Sequence, residues 1–171
     1  MKNALPWLSV CIVFVACNVD EKLTPPEIGI DVSPVWVGVR SIAEDAPEKP
    51  FDLQIRNLGE QTLKIEKVSV KGDQHCAFNW IGPDQDEIGA DGSAFIRMTY
   101  KPTVRDNDSV SLIIESNAEN FDRFIVPICG RGALQEEIDQ MAEVDGGVGG
   151  EDGPLCSAPP SDQPDCDAEG K

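Results

Sequence analysis

Phe51-Asp52-Leu53-Gln54-Ile55-Arg56-Asn57-Leu58-Gly59 reads as an extended strand running into a turn. Phe51, Leu53 and Ile55 fall on one face of an extended chain and Asp52, Gln54 and Arg56 on the other, the period of a half-buried strand. Asn57-Leu58-Gly59 supplies the residues that end it. The same alternation recurs outward. Leu63 and Ile65 share a face while Val68 and Val70 have the opposite parity, so a bulge or a change of buried face is expected near Lys67. Ala94, Ile96, Met98 and Tyr100 line one face before Lys101-Pro102, Val110, Leu112 and Ile114 before Ser116-Asn117, and Phe124, Val126 and Ile128 before Gly130. With the runs 28–32 and 35–39 this makes about seven strands, an all-β sandwich rather than alternating strand and helix.

Four segments follow from this reading: a leader at 1–16, a polar tether at 17–26, one sandwich domain at 27–133 and an acidic Gly- and Pro-rich tail at 134–171. The tail sets a long series of Asp and Glu against the single base Lys171 and cannot bury enough apolar surface to offset the entropy of ordering. The pattern allows one short helix from Ala133 to Glu143, with disorder beyond it. A net charge of −17 excludes nucleic acid as a partner and gives no basic patch for anionic lipid.

The leader has one charge, Lys2, and an apolar run from Ala4 to Ala16, shorter than the roughly 20 residues of a membrane-spanning helix. It ends in Phe14-Val15-Ala16-Cys17, which resembles the cleavage site of bacterial lipoproteins. That resemblance implies acyl chains on Cys17, which anchor stably when more than one is present. Of six cysteines, Cys11 falls in the leader; lipidating Cys17 leaves an even set, Cys76, Cys129, Cys156 and Cys166. Asn18 rather than Asp after the cysteine points, by the lipoprotein rule, to the outer membrane over the inner. The expected address is the bacterial cell envelope, with the membrane reached through the lipid.

The succession Phe51 to Gly59, Leu63-Lys64-Ile65, Val68 to Gly72, Phe95 to Pro102, Leu112 to Asn117 and Val126-Pro127-Ile128-Cys129-Gly130-Arg131-Gly132 resembles the immunoglobulin-like domain of the ASPM/SPD-2/Hydin (ASH) type. The resemblance implies a single immunoglobulin-like β-sandwich close to the major sperm protein fold. It also implies a non-catalytic role in protein binding or scaffolding, with an unidentified envelope protein as partner. It brings no catalytic residue, and no cofactor or small-molecule ligand is expected.

Secreted context makes disulfides the default for the four remaining cysteines. Several connectivities are open; the favoured one joins Cys76 to Cys129 and Cys156 to Cys166. Cys129 has the opposite parity to Val126 and Ile128, so its bridge belongs outside the sheet or at its end. His75, the one histidine, reads as an exposed loop residue, poorly placed to activate Cys76 because neighbours in an extended segment point apart. Asp84, Asp86, Glu87 and Asp91 form an acidic loop that, with Trp80, supports an alternative: a Ca²⁺-dependent carbohydrate-binding or hydrolytic module. EF-hand spacing is absent. A third reading is a stalk presenting the tail. Phe95, Ile113 and Ile125 have the wrong parity for the core. Either they lie under loops, tether or tail, or Ile113 and Ile125, on neighbouring strands, belong to a partner face.

Overall fold

The computed structural model describes residues 22–145. The leader, Cys17, Cys156, Cys166 and the tail from 146 onward lie outside the described residues. So does the disorder expected of that tail.

The strands are β1 (Ile28–Ile30), β2 (Val35–Ser41), β3 (Lys49–Asn57), β4 (Leu63–Lys71), β5 (Phe78–Ile81), β6 (Glu87–Ile88), β7 (Ser93–Tyr100), β8 (Asn107–Ser116) and β9 (Arg123–Ala133), followed by helix α1 (Gln135–Asp145). They form a four-stranded sheet ordered β1-β3-β7-β5 and a five-stranded sheet ordered β2-β9-β8-β4-β6. The seven runs read from the sequence correspond to β1 to β4 and β7 to β9. The short strands β5 and β6 lack a full alternating period and were not legible. All pairings are antiparallel except that of β2 with β9, which is parallel. The chain therefore changes sheets between β1 and β2.

Alternation within the strands builds the core between the sheets. Leu53 and Ile55 from β3, and Ile96, Met98 and Tyr100 from β7, are buried opposite Leu112 and Ile114 from β8 and Val126 and Ile128 from β9. The parity switch in β4 is resolved by a register shift between Ile65 and Lys67, after which Val68 pairs with Ile114 and Val70 with Leu112 on the inner face.

Three asparagines pin one end of the sandwich. Asn57 Nδ2 donates to the carbonyls of Gln61, Ile88 and Gly89 at 2.8, 3.0 and 3.1 Å, while its Oδ1 accepts from the Gly59 N–H at 3.0 Å. Asn117 Oδ1 accepts from the Lys64 N–H at 2.7 Å and its Nδ2 donates to the Thr62 carbonyl. Asn120 Oδ1 accepts from Ile28 N–H and its Nδ2 donates to the Ile28 carbonyl. Backbone groups that the ladders leave unpaired at strand ends are thereby satisfied, which a buried polar group requires. The entering chain is held at the same end, where the N–H groups of Glu60 and Gln61 donate to the Thr24 carbonyl and that of Leu58 to the Glu27 carbonyl. Gly59 is required there because a Cβ would sit 1.9 Å from the Pro25 carbonyl oxygen.

At the opposite end Gly130 makes room for the Tyr100 ring, which an added Cβ would meet at 2.6 Å. Helix α1 begins just beyond β9. Glu137 accepts from the Leu134 N–H and pairs with Arg105, a capping arrangement that holds its carboxyl below the usual range, the backbone bond being the larger cause.

Candidate functional site

The outer face of the four-stranded sheet carries an exposed apolar pair. On β7 the inner residues Ala94, Ile96, Met98 and Tyr100 alternate with Phe95, Arg97 and Thr99, which face outward. On the edge strand β5, Phe78 stacks on Tyr100 with ring centroids 4.7 Å apart and Trp80 packs partly buried against the core, so Asn79 and Ile81 face outward. Ile81 is directly across from Arg97, two residues from Phe95, making Ile81 and Phe95 diagonal neighbours on one face. Ile81 is 69% and Phe95 42% exposed. The Arg97–Asp52 pair at 3.1 Å borders them, and Asp84 fixes the Phe95 backbone by accepting its N–H at 2.9 Å. The surface is an apolar centre with a charged margin beside a sheet edge.

A second cluster is polar and buried. The Tyr100 hydroxyl donates to Asp108 Oδ2 at 2.6 Å, and Asp108 Oδ1 lies 2.7 Å from His75 Nδ1. A carboxylate only accepts, which puts the proton on Nδ1. Burial pushes the Tyr100 hydroxyl far above the usual phenol range, reinforced by Asp108. Asp73 accepts from the N–H groups of Ala77 and Phe78, both at 2.9 Å, and its carboxyl is raised mainly by burial, those two bonds opposing the shift. Gly72, Gln74, His75, Asn107, Asp108 and Ser109 line a small cleft beside it. Ser, His and Asp meet there, yet among the described residues no hydrogen bond joins Ser109 to His75. Tyr100 and His75 occupy both oxygens of Asp108, so the group acts as a clamp joining β7, β8 and the loop after β4.

This arrangement corrects the sequence reading of His75. It is not a freely exposed loop residue, because Asp108, far away in sequence, engages its ring. Nor is the segment extended, since Cys76 has φ of 52°. Cys129 does face outward from β9, paired across the sheet with Ser109 and Trp36.

Ile113 and Ile125 are cross-strand partners on the outer face of the five-stranded sheet. They are unlike in exposure: Ile125 is 46% exposed and Ile113 only 3%. Ile113 is therefore not an open contact residue. The acidic loop is dispersed into separate tasks. Asp84 holds Phe95, the Asp86 carbonyl accepts from Ile65, Glu87 pairs with Lys64 at 2.8 Å, and Asp91 adopts φ of 55° in a turn. Among the described residues no three His, Cys, Asp or Glu side chains gather as a metal site would require. Trp80 packs, partly buried, against the core. Ile81 was missed by sequence reading because its strand is too short to show a period. Phe95 was visible as a parity violation.

No family model matches the chain, and no curated protein matches it. Among solved structures, it is similar to a protein of unknown function from Porphyromonas gingivalis W83, with 18% identity and a TM-score of 0.52, over 67% of this chain and 51% of that one. The secreted serine protease VesC from Vibrio cholerae is similar at 15% identity and a TM-score of 0.50, over 70% of this chain and 26% of that one. The ASH/PapD-like domain of human CEP192 aligns at 13% identity and a TM-score of 0.45, over 78% and 99%. The chain thus spans about half the length of the first of these and about a quarter of the second. Similarity at this level concerns architecture alone, and the two facing sheets, of four and five strands, make the described chain a β-sandwich.

Proposed function

We propose that the chain is a lipid-anchored protein of the bacterial cell envelope, carrying an ASH-type domain that binds another protein without catalysing a reaction. The observation that carries the binding role is the exposed Ile81–Phe95 pair beside the β5 edge, an apolar centre within a charged rim. The sequence succession that ends in Gly130-Arg131-Gly132 supports the domain type. The address is supported by Val15-Ala16-Cys17 and by Cys76 and Cys129, both disulfide-bonded, a state that oxidising compartments sustain.

The test compares wild type with Phe95→Asp and Ile81→Asp as baits in affinity capture from solubilised envelopes, after thermal melts establish that each variant folds. Loss of one reproducible partner with both variants is expected. Unchanged capture by two folded variants refutes the face. Labelling with an alkyne fatty acid tests the anchor separately: Cys17→Ser should abolish incorporation, and a wild type that takes up no label refutes it.

A further inference from the structure

The backbone of β5 is open on one side. The Lys101 N–H donates to the Ala77 carbonyl at 2.8 Å, which turns Ala77 toward β7. In an antiparallel ladder alternate residues face the same partner, so Asn79 and Ile81 bond to β7 while Phe78 and Trp80 turn their N–H and C=O groups to the edge. The Phe78 N–H accordingly goes to Asp73 Oδ2. The Trp80 N–H and C=O meet no partner among the described residues. The remaining edges are served from within the domain. Asn120 takes both backbone groups of Ile28 on β1, α1 lies against β2, and on β6 the Ile88 carbonyl accepts from Asn57 while Glu87 pairs with Lys64. Strand β5 contains neither the lysine nor the proline that usually protects an edge from pairing.

We propose that a second copy of this chain fills that edge, β5 pairing antiparallel with the copy's β5 about a two-fold axis at Trp80. This rests on the reading of Ile81–Phe95 as a binding face and names its occupant. With Trp80 opposite its copy, each N–H finds the other's carbonyl, and the Phe78 carbonyl meets the copy's Gly82 N–H. Asn79 then faces the copy's Ile81, and the two Ile81 side chains become diagonal neighbours about 8 Å apart, fusing the two exposed apolar pairs into one patch. On the inner face the two Trp80 rings become cross-strand neighbours. The charges also complement. Lys101 stands at one end of β5, and the exposed Asp84 and Asp86 follow the other end. None of the three forms an ion pair with a described residue. Reversing one copy against the other brings each acidic end within about two strand spacings, roughly 10 Å of backbone, of the opposite Lys101, a gap that the two side chains close. The four-stranded sheets join into a single sheet running through both copies.

The experiment is sedimentation equilibrium of the full-length protein in density-matched detergent, in a series up to about 1 mM, for wild type, Ile81→Lys, Ile81→Asp and an equimolar mixture of the two variants. Wild type should rise to twice the monomer mass. Each variant alone should keep the monomer mass, because like charges meet across the axis, and the mixture should recover the doubled mass, because opposite charges meet. Recovery also shows that both variants are folded. A wild type that stays monomeric, a variant that still doubles, or a mixture that fails to recover overturns the proposal. Affinity capture separates the two readings: a monomeric wild type that holds another envelope protein through Phe95 and Ile81 overturns the dimer and leaves the binding face standing, whereas a monomer whose capture is indifferent to both residues overturns both.

Discussion

Replacing Asn57 by Asp changes almost no volume and reverses the polarity of one buried atom. In the native protein three carbonyl oxygens converge on Asn57 Nδ2 within 3.1 Å, and Asn57 itself is buried. With the carboxyl protonated, one O–H serves one of the three carbonyls, and the bonds lost cost about 1–3 kcal/mol. With it ionised, negative charge faces three carbonyl dipoles, so the folded pKa rises above the unfolded value of about 3.9. The sign follows from linkage. Above about pH 4 the unfolded chain releases the proton while the folded chain keeps it, so stability falls with a slope of about 1.36 kcal/mol per pH unit. From about pH 4 to about pH 7 the penalty grows by up to roughly 4 kcal/mol, a large share of a typical stability of about 5–15. Asn57 itself does not titrate, so subtracting wild-type from Asn57→Asp stability at each pH isolates this carboxyl. Urea denaturation of both proteins across that range, with unchanged m-values, measures it. A difference that stays flat with pH and below about 1 kcal/mol refutes the orientation of the Asn57 amide and its part in pinning that end of the sandwich.

Tyr100→Phe removes the hydroxyl from Asp108 and leaves a buried carboxylate oxygen without its donor, which should cost about 1–3 kcal/mol in a thermal or urea melt while the fold persists. Gly130→Ala drives a Cβ to 2.6 Å from the Tyr100 ring and should destabilise by about 1–3 kcal/mol, whereas Gly89→Ala, which meets nothing within 4 Å, should stay within about 0.5. Ile113→Asp should destabilise by several kcal/mol through a buried unpaired charge, while Ile125→Asp on the neighbouring strand should cost less than about 1, read by the same melts.

Strands with a full alternating period could be read directly, because β3, β7, β8 and β9 each bury one set of side chains against the opposing sheet. Even the bulge in β4 was legible, as a conflict of parity that only an irregular register resolves. Strands β5 and β6 escaped because four and two residues are too few to display a period. The turn Asn57-Leu58-Gly59 was recognisable from its residue types, but its purpose was not. Asn57 serves carbonyls as far away as Gly89, and Gly59 yields to Pro25, partners that no local window contains. The same distance hid the tie between His75 and Asp108. The apolar pair Ile81–Phe95 was half visible, since Phe95 breaks parity within a clear strand and Ile81 sits in one that shows none.

The parallel pairing of β2 with β9 has a mechanical consequence. The chain enters at the end pinned by Asn57, Asn117 and Asn120 and leaves β9 at the other, so tension between the termini runs along the length of the sandwich. Pulled in those opposite directions, β2 and β9 slide past one another, and the hydrogen bonds from Val35–Ile128 to Ser41–Ala133 carry the load together instead of unzipping one at a time. A domain pulled from its two ends in this way resists force as a shear lock.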